Sequence, residues 1–212
     1  MKLLRHVAPL VLGIAALGTA QANLLQNGGF ESPGAPPDYI ELGTGSTYIT
    51  NWVTFLSGVE YFKPGTPSNS PGNAFEGVMA VDVANFIFNN GGIAQVFATT
   101  VGQQYVLNFA AGNSTFGGRT GTGTVDVQVG SLTTSVATAV ATSDPIVWAP
   151  ITLTFTALAP STTLSFSNMQ DSSTHFAYID GVSVTAVPEP ETVALLLAGL
   201  AVVGMTAHRR RG

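Results

Sequence analysis

The chain has 212 residues, a formal net charge of −5, 24 glycines, 12 prolines and no cysteine. The length allows one domain with a substantial core, and the acidic balance excludes a basic nucleic-acid footprint. Without cysteine there is no disulfide, thiolate metal site or cysteine nucleophile, so stability must come from burial or from a bound ion.

Residues 1–22 read as a signal peptide. Lys2 and Arg5 form a basic start, Val7 to Leu17 is apolar, and Ala20-Gln21-Ala22 is a small-x-small cleavage pattern that leaves Asn23 as the first mature residue. The body, residues 23–186, carries Lys63 and Arg119 against ten acids, a charge of about −8. It opens on Asn27-Gly28-Gly29, a turn between Leu24 and Phe30. A proline-bearing loop over 32–38 follows.

Short runs then alternate with Gly, Asn, Ser and Pro. Ile49 to Phe62, Met79 to Val83, Ile93 to Ala98 and Gln104 to Ala111 are expected strands, and Tyr105, Leu107 and Phe109 mark the inward face of the last. Lys63 to Gly77 and Gly112 to Gly123 are expected loops. Thr124 to Val129 and Leu132 to Val136 form a hairpin about Gly130-Ser131. Trp148 to Ala157 sets Ile151, Leu153 and Phe155 against Thr152, Thr154 and Thr156; Thr162 to Ser167 and Phe176 to Val184 repeat the pattern. Before residue 187 nothing keeps helical spacing over three turns, so the body reads as an all-β sandwich.

The tail, residues 187–212, has three parts: Pro188-Glu189-Pro190, an uncharged apolar run from Thr192 to Ala207, and Arg209, Arg210 and Arg211 behind His208. The prolines predict an extended spacer. The 16-residue run spans about 24 Å as a helix, slightly less than a hydrocarbon core. Arginines resist translocation and hold the end in the cytoplasm, with the body on the far side. The order of parts resembles the PEP-CTERM sorting signal of exported bacterial proteins. That resemblance implies cleavage near the Pro-Glu-Pro by an exosortase-type membrane protease. It also implies a transient inner-membrane anchor and delivery to the surface or extracellular matrix of a Gram-negative, polysaccharide-making bacterium.

In the body, Asn27-Gly28-Gly29-Phe30-Glu31, Trp52 with Val59-Glu60-Tyr61, and Ile179-Asp180-Gly181-Val182-Ser183-Val184 resemble the DUF642-like family that includes "choice-of-anchor C" surface proteins. Ala94-Gln95-Val96-Phe97 and Gly102-Gln103-Gln104-Tyr105 fit the same order. Gly181 departs from the pattern, where such proteins often have Asn. The resemblance implies a single galactose-binding-like jelly-roll β-sandwich, with roughly eight strands and adjacent termini, between a signal peptide and a transmembrane sorting helix. It implies a carbohydrate-binding module acting in the biofilm polysaccharide. It also implies a structural calcium at Glu31 and Asp180, where one cation would offset two carboxylates.

Zinc-peptidase and GxSxG hydrolase motifs are absent from the sequence, and no pair of acids is marked by spacing as glycosidic, so no catalytic residue is assigned. His175, in Ser172-Ser173-Thr174-His175, reads as a solvated loop residue. Sugar binding needs aromatic faces and hydrogen-bonding acids. Trp52, Tyr61 and Asp82 are the assigned ligand residues, with Tyr39, Tyr48, Trp148 and Glu60 as further candidates and Phe86 and Phe88 as rim residues. Trp52 and Trp148 also suit a core. Asp82 points away from Val81 and Val83 in a regular strand. Asn113-Ser114-Thr115 matches a glycosylation acceptor, incidental in a bacterial protein. A structural or adhesive surface protein without a sugar site is the alternative reading.

Overall fold

The computed structural model of the chain describes residues 22–34, 38–67, 69–87, 89–188 and 190–209. Residues 1–21, including Ala20, together with Phe88, Glu189, Arg210 and Arg211, lie outside them. The described residues form a jelly-roll β-sandwich of two antiparallel sheets followed by one helix.

The strands are β1 (Tyr39–Leu42), β2 (Val53–Leu56), β3 (Val59–Phe62), β4 (Ala80–Asp82), β5 (Gly91–Ala98), β6 (Gln104–Asn113), β7 (Thr124–Val129), β8 (Leu132–Ala137), β9 (Val147–Thr156), β10 (Ser161–Ser167) and β11 (Tyr178–Ala186). One sheet runs β1-β3-β4-β11-β6-β9 and the other β2-β5-β10-β7-β8. The eight strands implied by resemblance become eleven among the described residues, because short edge strands join each sheet and the expected strand 49–62 divides. Its two halves belong to different sheets. The chain turns at Gly58, where φ is +94° and an added Cβ would sit 1.8 Å from the Leu42 carbonyl oxygen. A side chain there would overlap backbone, so only glycine permits the switch.

Alternation fills the space between the sheets. Val59, Tyr61, Val81, Leu107, Phe109 and Ile179 from the larger sheet meet Ile93, Phe97, Val125, Val127, Leu164 and Phe166 from the smaller, all buried. Strand β11 carries a bulge between Asp180 and Ser183, with Gly181 at φ +62°. The extra residue lets Ile179 and Val182, three apart, both face the core. Asparagine also tolerates this left-handed geometry, so the departure at Gly181 leaves the bulge intact.

The ends of the domain meet. Leu24 N donates to Val184 O at 2.9 Å, and Asn23 Oδ1 accepts from Val184 N at 2.9 Å. Val187 N still donates to Gln104 O at 2.8 Å. Helix α1 (Pro190–Arg209) begins three residues later. The expected extended spacer is therefore shorter than Pro188 to Pro190, because Pro190 takes the first helical position, where a missing amide proton costs nothing. Among the described residues no helix is long and apolar enough to cross a membrane. The uncharged part of α1 is the same 16-residue run noted above, and Glu191 and Arg209 bound it.

Candidate functional site

Strand alternation builds a second surface on the outer face of the larger sheet. In β1, Ile40 and Leu42 pack on the core, so Tyr39 and Glu41 point outward. The same rule sends Glu60 and Phe62 outward from β3, Asp82 from β4 and Tyr178 from β11. Register aligns them: Glu41 pairs with Glu60, Glu60 with Asp82, Asp82 with Tyr178, Tyr178 with Gly112, and Gly112 with Trp148. Adjacent strands lie about 4.8 Å apart, so three carboxyls stand side by side in one row across the sheet, followed by a phenol and an indole.

Loops roof this row. Asn69 and Ser70, Phe86 and Ile87, Phe116 to Arg119, and Ser173 to Phe176 come over it and leave a cleft of about 390 Å³. Tyr39, 42 % exposed, and Phe86, 55 % exposed, stand on its rim. Tyr178 is anchored below through Ser70 Oγ at 2.6 Å, which also meets Ser114 Oγ at 2.7 Å. The Arg119 guanidinium lies 4.6 Å from the Phe86 ring centroid and 3.9 Å from that of Phe176. Its Nε donates to Ser172 O at 3.0 Å and its Nη1 to Phe116 O at 3.3 Å.

Burial and crowding perturb the acids. Burial first, then the neighbouring charges of Asp82 and Glu41, push Glu60 up to about 8. Burial and Asp82 push Glu41 up to about 7. Asp82 is raised by burial to about 6, although Ala84 N and Ala177 N donate to its Oδ1 at 2.9 and 3.0 Å. Both Glu41 carboxyl oxygens and Asp82 Oδ2 are buried without a hydrogen-bond partner. At neutral pH the row thus mixes protonated and ionised acids, able both to donate and to accept.

The DUF642 family of proteins of unknown function matches residues 23–185. The chain belongs to the DUF642 family. Residues 186–211 match the PEP-CTERM protein-sorting motif, which marks an exported protein. None of the curated proteins matches the chain. Among solved structures, TmCBM61 in complex with β-1,4-galactotriose is similar to this DUF642 chain at 19% identity, covering 78% of this chain and 99% of that one with a TM-score of 0.46. A family 35 carbohydrate-binding module from Clostridium thermocellum is similar at 10%, covering 70% and 98%, TM-score 0.41. The CBM22-1 xylan-binding domain from Paenibacillus barcinonensis Xyn10C is similar at 14%, covering 71% and 94%, TM-score 0.40. Likenesses of this size place no ligand in the DUF642 cleft.

The structure redistributes the residues assigned from sequence. Asp82 lies beneath the cleft, in register between Glu60 and Tyr178 and opposite Val81 as alternation requires, and it is only 1 % exposed. Glu60 and Tyr39 line the cleft above it. Trp52 and Tyr61 do not, and their assignment to ligand is corrected: both are in the core, Tyr61 because its parity in β3 faces the other sheet, and Trp52 because its ring, just before β2, packs against Phe30 and Phe166. Trp52 Nε1 donates to Asn27 O at 3.0 Å, and Tyr61 OH donates to Phe30 O at 2.7 Å, so each ring pins the opening motif. Trp148 lies at the far end of the outer row, packed on Gly112 and donating to Asn73 O at 3.0 Å. Tyr48 stands against Tyr61, 6.2 Å between ring centroids, and does not line the cleft.

His175 is buried, not solvated: its loop folds back so that Nδ1 meets Thr174 Oγ1 at 3.0 Å and Nε2 meets Asn168 at 3.3 Å. Asn113 is also buried, with Nδ2 donating to Gly121 O and Oδ1 accepting from Phe176 N, so the folded domain cannot present it for glycosylation. Sequence reasoning missed Glu41, Arg119 and Tyr178. The alternation in Tyr39–Leu42 was the available signal for Glu41. Nothing in the order of residues brings Arg119 to this face.

Glu31 and Asp180 do converge, on one loop. Glu31 Oε1 accepts from Val78 N and Met79 N, both at 2.8 Å, while Asp180 accepts from Glu76 N at 2.9 Å and Gly181 N at 2.6 Å. Glu31 Oε1 and both Asp180 carboxyl oxygens thus accept amide protons. Among the described residues no group of three or more acids or histidines is arranged to hold a metal. As placed, the pair forms a backbone clasp on the 76–79 segment. The clasp predicts a melting temperature equal in calcium and in chelator; a rise in calcium would show that an ion displaces the amides.

Proposed function

We propose that this exported protein is a non-enzymatic binder of extracellular polysaccharide, and that the cleft on the outer face of the larger sheet is its ligand site. One observation carries the reading: the cleft that Glu41 and Glu60 line also presents two exposed aromatic rings, Tyr39 and Phe86. Sugar rings offer apolar C–H patches that stack on such rings, and hydroxyls that need both donors and acceptors. Hydrolysis fits the geometry less well. A glycosidase sets its two carboxyls on either side of the scissile bond, whereas these acids rise side by side from one sheet.

The tail carries the rest of the proposal. Every described side chain from Leu197 to Ala201 and from Val203 to Thr206 is exposed, and a helix that is apolar all round suits lipid better than water. The reading is that α1 holds the chain at the inner membrane until an exosortase-type protease cuts near Pro188 to Pro190, releasing the domain to the matrix. Mass spectrometry of the mature C-terminus tests this step; a chain retaining Arg211 overturns it.

For binding, Tyr39→Ala and Phe86→Ala are each expected to weaken retention in polysaccharide-containing native gels by about tenfold, the loss of ~1.4 kcal/mol. A parent protein retained by no polysaccharide, yet self-associating, favours the structural or adhesive alternative instead.

A further inference from the structure

Resting on that reading of the cleft, we propose that the row Glu41–Glu60–Asp82 seats a protonated primary amine of the ligand, so that the preferred sugar is an amino sugar with a free nitrogen. Three observations support this beyond the presence of acids. First, Asp82 is 1 % exposed and its Oδ2 has no hydrogen-bond partner, and in half-buried Glu41 both carboxyl oxygens are themselves buried and unpartnered. Buried acceptors left unmatched are costly and call for a donor. Second, the cation nearest the row is committed elsewhere: Arg119 is sandwiched between Phe86 and Phe176 and donates to the carbonyls of Ser172 and Phe116. Third, Glu41, Glu60 and Tyr178 line an open cleft, and Asp82 sits between Glu60 and Tyr178 in register, directly beneath it, so an ammonium entering the cleft meets the row once the Glu41 and Glu60 side chains turn towards it.

The chemistry selects an ammonium. Its three N–H donors and single charge match several carboxyl oxygens at once, through charge-assisted bonds. Side-by-side carboxyls about 4.8 Å apart at the backbone do not converge as a cage for a small hard ion, and no metal-holding group exists among the described residues. An anionic sugar would meet Glu41, Glu60 and Asp82 with one guanidinium to offset them. An N-acetyl group keeps one N–H donor and loses the charge.

The groups facing the seat are Glu41 from β1, Glu60 from β3, Asp82 from β4, Tyr178 from β11, Arg119 from the loop after β6, and Asp38 just before β1. Ionised acids and protonated amine coexist only near neutrality, since oxygens beside the amine of a sugar draw its pKa well below the ~10 of a lysine. Affinity should therefore fall on both sides.

The test is calorimetric titration of the purified protein with three β-1,4-linked tetramers: glucosamine, N-acetylglucosamine and glucose. They differ only at carbon 2. The glucosamine tetramer is expected to bind about tenfold tighter than the others at pH 7, with a bell-shaped pH profile in the parent protein. Glu60→Gln and Glu41→Gln should each bring the ratio of amine to neutral affinity towards one, with melting curves checking that both variants fold. Equal affinities for the three tetramers, or no binding of any, overturn the amine seat. The polysaccharide-gel result then tells whether the cleft reading survives: retention keeps it, and no retention on any polysaccharide removes both.

Discussion

Replacing Trp52 with alanine destabilises the domain by about 3–5 kcal/mol, the range for truncating a buried aromatic. Trp52 is 1 % exposed and packs 5.1 Å from Phe30 and 6.4 Å from Phe166, ring centroid to ring centroid. It therefore links the opening segment to the smaller sheet. Its Nε1 also closes on Asn27 O, and that motif is tied in turn to β11 by Val182 N donating to Gly28 O at 3.0 Å. The loss combines a large cavity with one hydrogen bond to Asn27 O, which keeps its bond from Phe30 N. Chemical denaturation measures it. A variant as stable as the parent but unable to bind polysaccharide would return Trp52 to the ligand site and sink the core assignment.

Stability is expected to fall as pH rises from about 5 to 8, the reverse of acid denaturation. In the unfolded chain the carboxyls titrate at about 4. In the fold, burial holds Asp82 at about 6, Glu41 and Asp180 at about 7 and Glu60 at about 8. Between those limits the native state binds more protons than the unfolded one, so unfolding free energy declines with pH. Below about 6.5 His175 acts in the opposite sense, because burial lowers its pKa and the fold prefers the neutral ring. The stability maximum therefore lies on the acid side of neutrality. Each kcal/mol lost lowers the melting temperature by about 2–4 °C in a domain of this size. Glu60→Gln removes the group with the highest value, and should raise the melting temperature at pH 8 and flatten the slope. A melting temperature that climbs from pH 6 to pH 8 refutes the buried row.

The two effects oppose in function. The acids that weaken the empty domain at neutral pH are those proposed to hold the ligand, and a site kept unsatisfied in the free protein gains most on binding. A Glu60→Gln protein that is both more stable and a weaker binder is the joint signature.

The order of residues alone marked the chain for export and set its layers. A basic start with a short apolar run, and an apolar tail backed by arginines, are local patterns that need no fold to be read. Two-residue alternation in Gln104 to Ala111 and Trp148 to Ala157 likewise set strands and their inward faces, because a pleated strand sends successive side chains to opposite sides. Alternation also put Asp82 opposite the valines. It could not say which outer face is covered or what lies beside Asp82, since Glu41, Glu60 and Tyr178 come from strands distant in sequence and meet only through register. The same limit applied to Trp52, Tyr61 and His175: an aromatic ring or an imidazole has the same letter in a core as in a binding site. Only the packing of loops and the opposite sheet decides which of its faces solvent can reach.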